Sequence, residues 1–307
     1  IIKHTARNGR FMFSSLSQFN AQSIMHFFTD KGLKLKEEDH HRIFPQSNKS
    51  EDVVSILEKE MAKCGVIIKT NSKVLSINPQ LKTLITTQEY LNFDALIIAT
   101  GGISYSHTGS DGSGYELLKS LGHTITDIKP AEVALVSNDS CIQSKELQGL
   151  SFRDVNLTSF VSGKKIISIT NDLLFTHFGL SGPAALQSSS YLTDAFDTKN
   201  EVIIKIDFCK EFSLESLQKE KDLIEKLLEI KLPKRFISYL QNIYPIHQIP
   251  ILLKAFPITI HTTRSFSTAF VTAGGVSLKE IDPKTMHSKI HPWLSVCGET
   301  LDVNSLT

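Results

Sequence analysis

Apolar and polar positions along this chain fall into two textures. In the first 129 residues, Phe11, Phe13, Leu16, Phe19, Ile24, Phe27 and Phe28 recur at spacings that predict short amphipathic helices, with Gly32 as a stop. Val53, Val54, Leu57 and Met61 predict a helix capped by Ser50 and stopped at Gly65. The runs 66–68, 74–77 and 81–87 read as strands, with Asn78-Pro79 as a turn. They lead into Phe93-Asp94-Ala95-Leu96-Ile97-Ile98-Ala99-Thr100-Gly101-Gly102, whose apolar stretch is too short for a lone helix. That stretch predicts a strand buried on both faces, as in a parallel sheet, ending in a glycine turn. In open α/β sheets, ligands bind at such carboxyl ends. An ordinary buried strand with a Gly-Gly turn is the alternative.

Next comes Thr108-Gly109-Ser110-Asp111-Gly112-Ser113-Gly114, feeding a helix over 115–121. Such a loop can cradle phosphate through backbone N–H groups and the helix dipole. It lacks the G-K-[ST] of a nucleotide-hydrolysing loop, and G-x-G-x-x-G occurs nowhere. From Pro130 the texture turns strand-rich: 133–136, 155–161, 166–169, 173–176 and 202–208. An amphipathic helix over 214–232 and helical stretches at 236–243 and 250–255 follow, then a strand at 258–260. A second strand-to-glycine turn falls at 270–276 and a third at 293–299. These ends predict one nucleotide domain, 1–129 with 265–307, split by an insertion. The insertion has a β-rich part, 130–212 with 256–264, and a helical subdomain, 213–255.

Composition narrows the function classes. With 33 basic and 32 acidic residues the net charge is +1, so no global field draws the chain to nucleic acid or an anionic membrane. No apolar run approaches the ~20 residues of a membrane span. Cys64, Cys141, Cys209 and Cys297 form no C-x-x-C pair, which suits reduced thiols in a cytoplasmic protein and argues against a metal site.

Four groups of residues stand in a specific order. They are Ala99-Thr100-Gly101-Gly102-Ile103-Ser104-Tyr105 with Thr108-Gly109-Ser110; Leu174-Phe175-Thr176-His177-Phe178-Gly179-Leu180-Ser181-Gly182-Pro183; Val271-Thr272-Ala273-Gly274-Gly275-Val276 with Ile281-Asp282-Pro283-Lys284-Thr285-Met286; and Gly298-Glu299-Thr300-Leu301-Asp302-Val303. On these the chain resembles the BaiN/YhiN-like bacterial flavoproteins, the aminoacetone oxidase-like family, from about Gly9 onward. The resemblance implies an α/β fold of the FAD/NAD(P)-binding, two-dinucleotide-fold type, interrupted by an inserted β-rich plus helical domain. It implies FAD as cofactor, NAD(P)H as candidate electron donor and a small-molecule substrate. The activity implied is flavin-mediated hydride transfer, either reducing an activated C=C bond or oxidising a small organic substrate. A regulatory or RNA-linked flavin-binding protein without turnover is the second class.

Two features depart from the family pattern. The G-x-G-x-x-G unit that opens the family and the Gly-Gly-Tyr-Asn segment that closes it are not in this sequence, and Ser305 stands where glycine is usual. The expectation is a fragment that holds FAD poorly by itself.

The resemblance also implies roles for single residues. Glu299 matches the acidic position that bonds FAD ribitol hydroxyls, with a surface carboxylate at a strand end as its alternative; Gly298 precedes it. Gly274 and Gly275, with Thr272, would bring main chain to the flavin ring. Thr100, Gly101 and Gly102 would line the opposite part of the cradle, Val74 would touch the adenine edge through its backbone, and Asp302 completes the set. His177, beside a helix beginning at Pro183, would exchange a proton or else order the turn between domains. Arg264 would clamp an anionic group or pair with an interface carboxylate. His40-His41-Arg42 reads as a substrate contact or a solvated loop.

Overall fold

A seven-stranded sheet lies within 135–263, in the order Phe256–Ile260, Val202–Asp207, Ser151–Val161, Lys164–Phe175, Gly179–Ser181, Leu135–Val136, Thr262–Thr263. The structure, a computed structural model, describes residues 2, 5–198, 200–220, 222–229 and 232–306. The two longest strands form a hairpin through Ser162 and Gly163, whose φ values of 47° and 77° suit a tight two-residue turn. Alternate residues Phe152, Leu157, Leu173 and Phe175 point into one core. The sequence predicted two strands, 166–169 and 173–176, where one continuous strand runs. Polar Asn171 and Asp172 do not break it, because Asp172 Oδ1 accepts the Asp154 N–H (2.9 Å) at a bulge in the neighbouring strand.

Helices cover this sheet with Leu217, Leu227, Phe236, Leu240 and Leu253, all buried in the same core. Phe152 sits at its centre, with ring centroids of Phe208, Phe236 and Phe175 at 4.5, 5.0 and 5.7 Å. The single helix expected over 214–232 is instead two, Leu214–Lys219 and Leu223–Glu229, because Glu220 leaves the helix with extended backbone.

A second core forms around a parallel pair, Leu96–Ile98 with Leu294–Val296. Ile77, Ile98, Leu118, Val276, Leu294 and Val296 fill it. The antiparallel piece Val74–Asn78, Thr83–Thr86, Tyr90–Asn92 precedes the first strand of that pair. Between the cores, Lys129–Ala131 pairs with Val271–Ala273 at the two chain crossings. This mixed α/β architecture agrees with the predicted fold class. No helix among the described residues is long and apolar enough to cross a membrane.

Two expectations are corrected. The strand predicted to be buried on both faces is covered on one: Ile98 is 4% exposed, Ile97 68%. Successive side chains point to opposite faces, and only the Ile98 side meets the second core. The strand expected at 66–68 does not form. Ile67 is 81% exposed, since an extended apolar run becomes a strand only beside a hydrogen-bonding neighbour. This asymmetry gives a stability test. Ile97→Ser is expected to change stability by less than about 1 kcal/mol, and Leu294→Ala, fully buried, to lower it by about 2–5 kcal/mol. Urea midpoints that put the two variants level would refute the one-sided layer.

Candidate functional site

Three segments converge at the ends of strands: the loop 99–105 after Leu96–Ile98, the turn 272–276 closing Val271–Ala273, and the turn 298–302 after Leu294–Val296. Fully buried Thr272 ties them together. Its Oγ1 accepts the N–H groups of Ile103 (2.9 Å) and Ser104 (3.1 Å) and lies 3.0 Å from Ser104 Oγ. Its own N–H donates to Glu299 Oε1 (2.7 Å), and Glu299 Oε2 accepts the Gly102 N–H (3.2 Å). Thr300 Oγ1 donates to the Gly101 carbonyl (3.2 Å). A Cβ on Gly102 would collide with Thr272 Oγ1, so glycine is required here by the cross-tie.

Glu299 is thus held by two backbone donors, one on each oxygen, and remains half-buried. A carboxylate has about four acceptor directions, so two stay open for vicinal hydroxyls. That fits the ribityl chain of a flavin. Behind it, the Tyr115 hydroxyl donates to the Glu299 carbonyl (3.5 Å); burial, then the Glu299 and Asp302 carboxylates, raise its pKa.

Gly274 and Gly275 pack closely on this chain's own backbone. Both are buried with positive φ, 89° and 148°. A Cβ on Gly274 would collide with the Asp127 carbonyl, and one on Gly275 would lie 2.6 Å from Thr300 O. The Gly275 N–H donates to Thr126 Oγ1 (3.1 Å). The close approach these glycines permit is to this chain's own backbone.

The glycine-rich loop also carries bonds within the chain. At the start of the helix Ser113–Ser120, Asp111 Oδ1 accepts the Ser113 N–H (3.0 Å), and Lys73 Nζ pairs with Oδ2 (2.7 Å). The Lys73 hydrogen bond, then those from Ser113, hold the Asp111 carboxyl well below its ordinary range. The Ser113 N–H at the helix start is thus taken by the chain's own carboxylate. Val74, next to Lys73, packs half-buried on the second core.

Among the remaining expected residues, Thr100 and Gly298 are exposed at the ends of their strands. Asp302 is buried and faces a short strand, Thr5–Arg7, its Oδ1 3.1 Å from Arg7 Nε; burial raises its carboxyl pKa, with Arg7 opposing. His177 and Arg264 each lie near the Phe178 ring: the Arg264 guanidinium is 4.8 Å from its centroid, and the ring of the adjacent His177 5.0 Å. Both are exposed. His41 is exposed on the hairpin Leu35–Glu38, Arg42–Pro45, with Nδ1 2.5 Å from Glu37 Oε1.

Two groupings escaped sequence reasoning. Tyr105 and Phe270 form an exposed edge-to-face pair, centroids 5.6 Å apart, beside the cross-tie. Spacing gave no signal, since 165 positions separate them. The other is a Ser288–His123–Glu280 chain, 2.9 Å at each link, with Ser288 and His123 buried and Glu280 half-buried. It has the order of a nucleophile–base–acid triad. Ser288 Oγ, however, already accepts the N–H groups of Ile290 and His291, which leaves it donating to His123 Nε2 as a structural strut.

A parallel strand pair ending in glycine turns, cross-tied by a threonine and a carboxylate, defines a dinucleotide-binding α/β protein. The chain belongs to the HI0933-like protein Rossmann domain family, which matches residues 1–307. It is 26% identical to the 3-dehydro-bile acid delta(4,6)-reductase of Clostridium scindens, over 95% of this chain and 76% of the relative. It is also 26% identical to the ribosomal RNA dihydrouridine synthase of Escherichia coli, over 98% of this chain and 78% of that protein. The Haemophilus influenzae protein of the same name is 25% identical, with equal coverage. Family membership and the reductase relative together support an FAD-dependent oxidoreductase whose substrate they leave open.

Proposed function

We propose that this protein uses FAD, with NAD(P)H as donor, to reduce a C=C bond conjugated to a carbonyl. The observation that carries the reading is the Glu299 carboxylate, fixed by the Gly102 and Thr272 N–H groups at strand ends with acceptor capacity to spare. The relatives' names support the bond class. A 3-dehydro-delta(4,6) substrate has double bonds in line with its 3-keto group, and making dihydrouridine saturates a ring bond conjugated to a carbonyl. In the reaction proposed here, a hydride would add to the β carbon and a proton to the α carbon, the carbonyl oxygen carrying the intervening charge.

A bound flavin supplies the hydride. Glu299 would orient its ribityl chain, and Thr272 would hold the 101–104 loop in place through Ile103 and Ser104. On the insertion, Arg264 would hold an anionic group and His177 would exchange protons with the substrate. In this reading the nucleotide domain comprises 1–129 and 265–307. Balanced charge favours a small-molecule substrate, and four free cysteines favour the cytoplasm. The two dihydrouridine synthase relatives carry the second reading, a uridine in ribosomal RNA.

Flavin is expected to be held weakly by the 307-residue chain, because Asp111 already takes the Ser113 N–H and no G-x-G-x-x-G is present. Purified protein carrying stoichiometric flavin would contradict that. With FAD added in excess, anaerobic NADPH should bleach the flavin absorbance. A steroid dienone, 2-cyclohexenone and a ribosomal RNA transcript are then offered as reoxidants. Reoxidation by either enone supports the proposal, reoxidation by RNA alone supports the second reading, and bleaching that none of the three reverses overturns both.

A further inference from the structure

We infer that Tyr105 and Phe270 form the wall against which the substrate ring stacks, so that they set substrate affinity and not flavin retention. This rests on the reading above. Both rings are large, apolar and open, 43% and 48% exposed, and they meet edge-to-face at 62°. The His107 ring also lies near Tyr105, centroids 5.6 Å apart.

Both are rooted in the cradle. Tyr105 follows Ser104, whose N–H and hydroxyl are held by Thr272. Phe270 stands two residues before Thr272, its N–H donating to the Glu132 carbonyl (3.2 Å). The cross-tie that fixes Glu299 therefore fixes the two rings as well. Tyr105 also adopts φ +54°, a left-handed conformation unfavourable for a bulky side chain. Such strain clusters at ligand clamps, where surrounding structure imposes it. Here it holds a tyrosine ring against Phe270, next to the Thr272 cross-tie.

An exposed aromatic pair selects a flat partner. A six-membered ring with a C=C bond conjugated to a carbonyl is planar along that system and stacks on an aromatic face, about tenfold in affinity per ring. A uracil and a cyclic enone share this chemistry, and the probes below separate them.

The test uses the full chain with FAD, comparing parent, Tyr105→Asn, Phe270→Leu and the double variant. Asparagine tolerates the left-handed backbone, and leucine keeps apolar bulk without a ring. Binding of 2-cyclohexenone and of uridine is read separately by equilibrium dialysis, which needs no turnover, while flavin content is read by absorbance. The expected result is about tenfold weaker binding of at least one probe for each single variant and more for the double. Flavin content should be unchanged and Phe270→Tyr should bind like the parent. Loss for cyclohexenone alone marks a small enone as the occupant, and loss for uridine alone a nucleoside. Parent-like binding in the double variant, or a parent that binds neither probe, overturns the inference. Failure of NADPH to bleach bound flavin would overturn the functional reading instead, leaving the dialysis result to stand.

Discussion

Thr272→Val is expected to lower stability by about 2–5 kcal/mol, although the two side chains are nearly the same size. Removing Oγ1 leaves the N–H groups of Ile103 and Ser104 without their acceptor at a buried position. Each orphaned donor costs about 1–3 kcal/mol. The change makes no cavity, so the loss reports hydrogen bonding alone. Thr272→Ser separates the terms: it keeps the acceptor and removes one methyl, worth about 0.8 kcal/mol. Urea unfolding should therefore rank parent, then serine, then valine. Flavin uptake should follow the same order, since loop 101–104 would no longer be pinned beside Glu299. A valine variant with the parent's midpoint would show that Thr272 is not what joins the segments.

The features legible in the sequence were those written in local pattern. Strand-to-glycine turns at 99–102, 272–275 and 296–298 could be read because an apolar run and a glycine are neighbours in the chain. The strand-rich stretch after Pro130 showed itself by alternation. What could not be read depends on distant partners. Whether Ile97 is covered is decided by whatever lies on its side of the strand, which no residue near it records. The polar pair Asn171 and Asp172 looked like a break until Asp154 supplied a donor across the hairpin.

The candidate site divides in the same way. Glu299, Thr272 and Gly102 were singled out by their motifs, and the structure joins them through hydrogen bonds. Asp111 at the helix start was hidden, because serine- and glycine-rich loops look alike whether they hold a ligand or their own carboxylate. Tyr105 and Phe270 needed the fold to bring together two strand ends. Arg264 reaches the Phe178 ring beside His177, which their separation in sequence does not indicate.

Gly274→Ala distinguishes the two uses a glycine turn can have. If Gly274 served only to admit a flavin ring, alanine would leave the flavin-free protein as stable as the parent and reduce flavin content alone. The structure leads to the opposite expectation. The new Cβ would collide with the Asp127 carbonyl and lie 3.2 Å from Ile128 Cα, both parts of the backbone beside the crossing strand Lys129–Ala131. Backbone cannot swing aside as a flexible side chain would. The φ of 89° adds strain of about 1–2 kcal/mol for any residue with a Cβ. A total loss of about 3 kcal/mol or more is expected, strain and overpacking combined. It should appear in thermal or urea melts without added FAD. The exposed Gly298 is the control. Its φ is 73°, but a Cβ there would meet nothing within 4 Å, so Gly298→Ala should show the strain term alone. Equal melts for parent and Gly274→Ala, with flavin lost only from the variant, would return Gly274 to the flavin and remove it from the packing of the two crossings.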